Sequence, residues 1–341
     1  MLSQADLPPI CTNLPILLLY NLDPHWPEED IRYICSLVEQ TADELSQLGR
    51  PLDVLALSDS RLEDALLPFS PERYIVFNWC EAIPGLPNSE ALVASILEQR
   101  GFTFTGSSAC ALARTKDMIK QLLSQNQVTT PLWSVYATLP IDGWKDFPAI
   151  VKPTREHCSL GIDRDSVVTE RTQLSRRVAY ILQAWQQPAL VEEFIAGREL
   201  TVSLLGDENP YLLPVIEIAF CEEFTPLERV RTYASKFDKE SAEYHQIQTV
   251  LPAVLSEPEI RLLYTTVLQA YHTAECRDYA RFDVRMRDGK MYVIDVNHNP
   301  DLSPDSSFSL SARFAGLSHG NLISLLTTLA ARRHPLYRYL V

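Results

Sequence analysis

Apolar residues in the first third of the chain alternate between two rhythms. A short unbroken run at 15–20, Pro-Ile-Leu-Leu-Leu-Tyr, is of the kind that fills a strand buried on both faces. Residues 28–48 carry apolar side chains at helical spacing, and 53–57 and 74–77 return to strand-like runs. Asn88 or Ser89 can cap a helix over 90–100, and Gly101 can stop it. Strand and helix in turn predict a parallel sheet with helices on its faces.

From about Ala111 the rhythm changes. A helix is predicted over 115–125, a strand over 149–152, a turn-like stretch over 154–161 and a helix over 172–186. Strands at 189–194, 199–205 and 211–220 follow in quick succession, which is α+β rather than α/β in character. A helix over 257–275 precedes a hairpin, 280–287 and 291–296, turned by Asp288 and Gly289. An amphipathic helix is expected at 321–332, and the charged, aperiodic segment 221–247 reads as a mobile loop. The expected units are 1–112, 113–188 and 189–341.

Composition narrows the function. A net charge of −14 without a Lys/Arg block argues against nucleic acid or an anionic membrane as partner, since both need a cationic face. A nucleotide, which needs only two or three placed cations, stays open. The opening residues Met1 to Asp6 show no basic region or long apolar run, so no signal peptide is expected, and no stretch is long enough to span a bilayer. Seven scattered cysteines, never spaced CxxC, suit reduced thiols in a cytoplasm better than disulfides or a zinc site.

The densest candidate chemistry lies in the hairpin. Arg281 and Asp283 are two apart on one strand, and Asp295 and Asn297 are two apart on its partner, so each pair shares a face. If those faces coincide, oxygen ligands converge beside a guanidinium, a set suited to Mg²⁺ held together with phosphates. The alternative is a solvated hairpin edge. Against it, Val284, Met286, Ile294 and Val296 give an apolar opposite face that would tie the hairpin to a core. Lys152 ends a strand and Lys116 starts a helix. Either lysine alone would be bland, but together with the carboxylates, and with no Walker A motif, they suggest a nucleotide gripped between two β-rich lobes. His298, one residue past Asn297, points to the opposite face if the strand continues, which favours packing over ligation.

From about Thr105 to His319 the chain resembles the D-alanine–D-alanine ligase branch of the ATP-grasp superfamily. The stretches that carry the likeness are FTFTGSSACALARTKDMIKQLL, FPAIVKPTREHCSLGI, LVEEFIAGRELTVSLLG, LLPVIEI and YARFDVRMRDGKMYVIDVNHNPDL, in the family's order and spacing. The resemblance implies an N-terminal α/β pre-ATP-grasp domain (1–112), a central ATP-grasp lobe (113–188) and a C-terminal lobe with the metal site (189–341), the two lobes sandwiching ATP. Carried over by position, Lys116 and Lys152 would touch the phosphates, Glu192, Glu193, Phe194 and Ile195 would form the linker that reads adenine, and Glu199 would take the ribose. Lys236, otherwise a plain surface lysine, would close over the γ-phosphate. Asp283, Asp295 and Asn297 would hold two Mg²⁺, with Mn²⁺ as the alternative ion, and Arg281 would stabilise the oxyanion as an amine attacks. Related ligases are commonly homodimers acting on small molecules, here an amino acid and an acceptor.

Departures concentrate on the substrate side. The early glycine-rich segment with its glutamate is absent, and the chain there reads Asn21-Leu22-Asp23-Pro24-His25. The family loop REGSSVG reads REHCSLG, placing Cys158 before Ser159 where the family has a serine, and Phe237 follows Lys236 in place of a tyrosine. Asp301 replaces a glycine, while Ser306 keeps the position of a serine that binds the substrate carboxylate. Cys158 could shape the pocket; covalent catalysis would need a base, and His157 is its neighbour in sequence. These changes imply a C–N ligase that has abandoned D-alanine. Among such relatives, the ligase of mycosporine-like amino acid biosynthesis, which couples serine or threonine to mycosporine-glycine, is the specific candidate. The rival readings are D-alanine–D-alanine or another dipeptide ligase, and an ATP-binding protein without activity.

Overall fold

A computed structural model describes residue 11 and residues 13–341. The reading of residues 1–6 therefore lies outside the described residues. Among the described residues the strands form three sheets. The first is parallel, in the order β2-β1-β3-β4, from β1 (Ile16–Asn21), β2 (Leu52–Leu57), β3 (Ile75–Trp79) and β4 (Thr103–Phe104). The second is antiparallel, in the order β5-β8-β6-β7, from β5 (Trp133–Tyr136), β6 (Ala149–Pro153), β7 (Val167–Val168) and β8 (Ala189–Glu193). The third runs β12-β11-β9-β13-β14 with β10 beside β9, from β9 (Arg198–Leu205), β10 (Tyr211–Leu212), β11 (Ile216–Phe220), β12 (Ile247–Val250), β13 (Tyr279–Arg287) and β14 (Lys290–Asn297). No described helix is long and apolar enough to cross a membrane.

The first sheet is covered on both faces, which explains the unbroken apolar run in β1. Leu17, Leu19 and Val76 pack with Val93 and Leu97 of the helix Glu90–Gln99. Ile16, Leu18 and Phe77 pack instead with Val38 and Leu45 of the helix Glu28–Gln47, and with Leu322, Leu325 and Leu329 of the last long helix, His319–Ala331. That last helix corrects two expectations. It is buried nearly all round rather than amphipathic, and it completes the first unit rather than the third. The crossing with Glu28–Gln47 is tight at Gly320, where a Cβ would stand 3.0 Å from that of Glu44, while Gly320 N–H donates to Glu44 Oε2 at 2.7 Å.

Two further expectations change. Residues 189–193, assigned to the third unit, pair as β8 with β5 and β6, so the second sheet continues past 188. Segment 221–247 is not a bare loop: it holds the short helices Tyr233–Phe237 and Ala242–His245 and leads into β12, paired to β11. Within it Glu228 accepts from Thr225 N–H and Oγ1, while Glu243 reaches beyond the segment. Thr232 Oγ1 donates to Glu243 Oε2 at 2.5 Å, and Glu243 also pairs with Arg164 next to β7.

The third sheet sets up the site by alternation. Leu200, Val202 and Leu204 of β9 and Phe282 and Val284 of β13 bury one face against Ile119 and Leu123 of the helix Lys116–Gln125 and Leu263 and Val267 of the helix Glu257–Thr273. The other face carries Glu199, Arg281, Asp283 and Arg285. On β14 strict alternation fails. Asp283 pairs with Asp295 but Val284 pairs with Val293, leaving Ile294 as the extra residue of a bulge. Val293 and Met291 therefore take the core side, and Ile294, expected there, lines the polar side with Asp295 and Asn297.

Sheets one and three are joined by a buried ion pair. Asp278, wholly buried just before β13, accepts from Arg333 Nη1 and Nη2 at 2.6 and 2.7 Å and from Gly106 N–H at 2.8 Å, while Arg333 also donates to Phe104 O at 3.0 Å. Gly106, at φ +89°, lies so close to Tyr279 that a Cβ would meet its hydroxyl at 3.2 Å. Removing the guanidinium leaves a buried carboxylate without its counter-charge. Arg333→Met is expected to cost about 3 kcal/mol of unfolding free energy in urea titration.

Candidate active site

A cleft with about 870 Å³ of open space, its solvent-filled mouth included, lies between the second sheet and the polar face of the third. Lys116, Lys152, Glu192, Glu193, Phe194, Ile195, Glu199, Lys236, Arg281, Asp283, Asp295 and Asn297 all line it, with Cys158 and Ser159 at the loop above β6. Asp301 and Ser306 are not among its lining residues. Ser306 Oγ caps the helix Ser307–Phe314 by accepting from Ser309 N–H, and Asp301 closes a turn onto Ser303 N–H and Oγ, each at 2.8 Å.

The floor is a chain of alternating charge. Glu192, 1% exposed, sits 2.6 Å from Lys120 Nζ on one side and 2.6 Å from Lys152 Nζ on the other. Burial alone would raise the carboxyl pKa, but Lys120 and Lys152 outweigh it and hold the group ionised. Lys152 stays an ammonium against its own burial because Glu192 and then Asp295 favour the charge. Asp295 is likewise held well below the ordinary carboxylate range, its burial overcome by Lys116, 2.7 Å away, and by Lys152.

The linker's carboxylates line the cleft but already have cationic partners. Glu192 is committed to the lysines, and Glu193 pairs with Arg287 at 2.7 Å. Phe194 and Ile195 are buried, with Arg285 stacked 4.9 Å over the Phe194 ring and donating to Ile195 O at 3.1 Å. Arg285 also holds Glu199 at 2.5 Å, so the carboxylate expected at the ribose already has a cation.

Over the floor, Ser159 Oγ donates to Arg231 O at 2.9 Å and Tyr233 N–H to Ile162 O at 3.2 Å, drawing the two loops together. Cys158 and Ser159 both adopt left-handed backbone, φ +54° and +61°, in a turn closed by Leu160 N–H onto His157 O. Burial pushes the Cys158 thiol up, against a nucleophilic thiolate. His298 is buried with Nε2 on Ala274 O at 2.8 Å, a packing role. The side chain of Phe237 lies outside the described residues.

Sequence reasoning missed Lys120, Arg231, Arg285, Glu81 and Glu90. Lys120 falls one turn after Lys116 on a helix whose neighbours Ile119 and Leu123 are core, which is its signal. Arg285 continues the alternation of Arg281 and Asp283. Glu81 follows the carboxyl end of β3, where open α/β sheets place their ligands. Glu90 opens its helix, hydrogen-bonds Asn299 and stands 3.9 Å from His157; burial, partly opposed by Asn299, raises it to about 7. Glu81 and Asp301 both act electrostatically on Cys158, so carboxyl groups stand beyond that loop on the side toward the first sheet.

The donor set fits a hard divalent ion. Asp283 Oδ1 is buried without a hydrogen bond, and Arg281 Nε stands 3.4 Å off without forming one. Among the described residues no three His, Cys, Asp or Glu side chains form a cage, so Asp283, Asp295 and Asn297 would hold Mg²⁺ only with phosphate oxygens and water completing its shell.

Residues 128–328 match the family described as D-ala D-ala ligase C-terminus. That is more than half of the chain. This protein belongs to the D-alanine–D-alanine ligase family. A D-alanine–D-alanine ligase of Polaromonas naphthalenivorans is 32% identical over 268 residues, 74% of this chain and 78% of that protein. An uncharacterized protein, y4sG, of Sinorhizobium fredii is 34% identical over 272 residues, 78% of this chain and 77% of its own. The crystal structure of the Bacillus anthracis D-alanine–D-alanine ligase complexed with ATP superposes with a TM-score of 0.70 at 19% identity, covering 94% of this chain and 98% of that one. The fold is therefore ATP-grasp, and the family makes this chain an ATP-dependent ligase that forms carbon–nitrogen bonds.

Lys236 carries a pH signature. Burial, reinforced by Arg231 and Arg281 and opposed by Asp283, lowers it to about 8. Only the ammonium attracts phosphate, so its contribution is present below pH 8 and is lost as pH rises through that value. Affinity for a non-hydrolysable ATP analogue, measured calorimetrically, is expected to fall between pH 7 and 9, approaching about one decade per pH unit at the top of the range. Lys236→Arg should flatten that fall.

Proposed function

We propose that this ligase phosphorylates a substrate oxygen and couples an amino acid through its amine to the activated carbon, with an acceptor other than D-alanine. ATP supplies the phosphoryl group that turns the oxygen into a leaving group. Lys116, Lys152 and Lys236 would hold the phosphates, and Asp283, Asp295 and Asn297 the Mg²⁺, two ions in the full site or Mn²⁺ in their place. Arg281, beside Asp283 on the same face, would balance the negative charge that gathers on oxygen when nitrogen attacks. The carbon–nitrogen bond forms, phosphate departs, and the amine gives up its proton.

One observation carries the catalytic reading: the lysines, carboxylates and Asn297 line a single cleft. The change of acceptor is supported by Cys158 in the loop over β6 and by Asp301, a carboxylate that acts on Cys158 from beyond it. Mycosporine-glycine, an enone acceptor joined to serine or threonine, is the first specific candidate. The cytoplasmic location and homodimeric state expected from the sequence belong to the same proposal.

The test is ADP release with product mass spectrometry across amino-acid pairs, D-alanine included, and mycosporine-glycine with serine or threonine. A product from a pair without D-alanine is expected, and vigorous D-alanyl-D-alanine synthesis would overturn the altered-acceptor reading. Asp295→Ala should lower turnover with the productive pair at least about 100-fold while leaving the circular dichroism spectrum unchanged. Full activity in that variant would remove Asp295 from the metal site.

A further inference from the structure

The two carboxylates of the metal-binding face are in different states. Asp283 offers Oδ1 with no hydrogen-bond partner. Asp295 has both oxygens engaged: Oδ1 accepts from Val296 N–H at 3.2 Å, and Oδ2 lies 2.7 Å from Lys116 Nζ. A divalent ion on Oδ2 would be pressed against the ammonium, and like charges so close in a half-buried site repel strongly. The ion and Lys116 therefore compete for one carboxylate. Lys152, the other lysine acting on Asp295, has its own buried partner in Glu192.

Lys116 combines a fixed backbone with a flexible four-carbon side chain. It is the first residue of its helix, and its backbone N–H is anchored on Thr154 O at 3.0 Å, so the backbone stays put while the side chain swings from a fixed base. Phosphate oxygens placed along the cleft offer it a second anionic partner, and leaving Asp295 then costs little.

We infer that Lys116 gates the metal site: it neutralises Asp295 until nucleotide phosphates draw it away, so that the divalent ion binds together with the nucleotide and not ahead of it. The inference rests on the placement of the metal at Asp283, Asp295 and Asn297 proposed above. It makes nucleotide and metal mutually reinforcing, because each removes an obstacle to the other.

The probe is Mn²⁺, titrated into the full chain and followed by electron paramagnetic resonance of the free ion, with and without ADP. The unsubstituted protein should bind Mn²⁺ weakly alone and tightly with ADP. Lys116→Met, with Lys116→Gln as a second variant in case the first folds poorly, should bind Mn²⁺ alone roughly tenfold more tightly, and ADP should then add correspondingly less. Adding Asp295→Asn to Lys116→Met should abolish the gain. If the Lys116 variants bind Mn²⁺ alone no better than the parent, yet both take it up with ADP, the gate is wrong and the metal site stands. If no protein takes up Mn²⁺ even with ADP, the metal placement fails and the gate fails with it. A gain that survives Asp295→Asn also overturns the gate.

Discussion

Glu192 is the constraint on which the cleft depends. Two ammonium groups, Lys120 and Lys152, project into the same interior, and neither could stay charged there without a carboxylate between them. The triad also works as a clamp. Glu192 belongs to β8 and Lys152 to β6, while Lys120 comes from the helix behind the third sheet and donates to Val293 O of β14 at 3.1 Å. One side chain thus sets the charge of the floor and ties the second sheet to the third.

The hairpin β13/β14 supplies the complementary constraint. A regular strand would put Val293 and Asp295 on the same face, burying the carboxylate or exposing the valine. The bulge at Ile294 resolves the conflict by one residue of slippage, so that a core-forming strand end and a ligand-bearing strand end coexist in eight residues of chain. Bulges are common beside active sites for this reason: they re-aim a side chain without breaking the sheet.

The elements legible in the sequence were those with a strong local rhythm. The parallel strands β1 and β3 announce themselves as apolar runs, and Arg281 and Asp283 share a face by simple parity. What was not legible depends on partners distant in sequence. Nothing near Ile294 marks the bulge, because its cause is the need to satisfy Val293 in a core built by residues 119–284. Segment 221–247 looked unstructured because its order comes from Arg164, Ser159 and Arg285 elsewhere in the chain. The helix His319–Ala331 looked amphipathic because of its few polar positions, and of these Thr327 and Thr328 tolerate burial by donating to Ser324 O within the helix and by serving Arg50 and Cys11.

That helix also bears on how the chain is assembled. Its leucines close one face of the sheet built from residues 16–104, so that sheet keeps an apolar surface open until more than two hundred further residues have been made. Completion of that sheet's core therefore waits on residues 319–331.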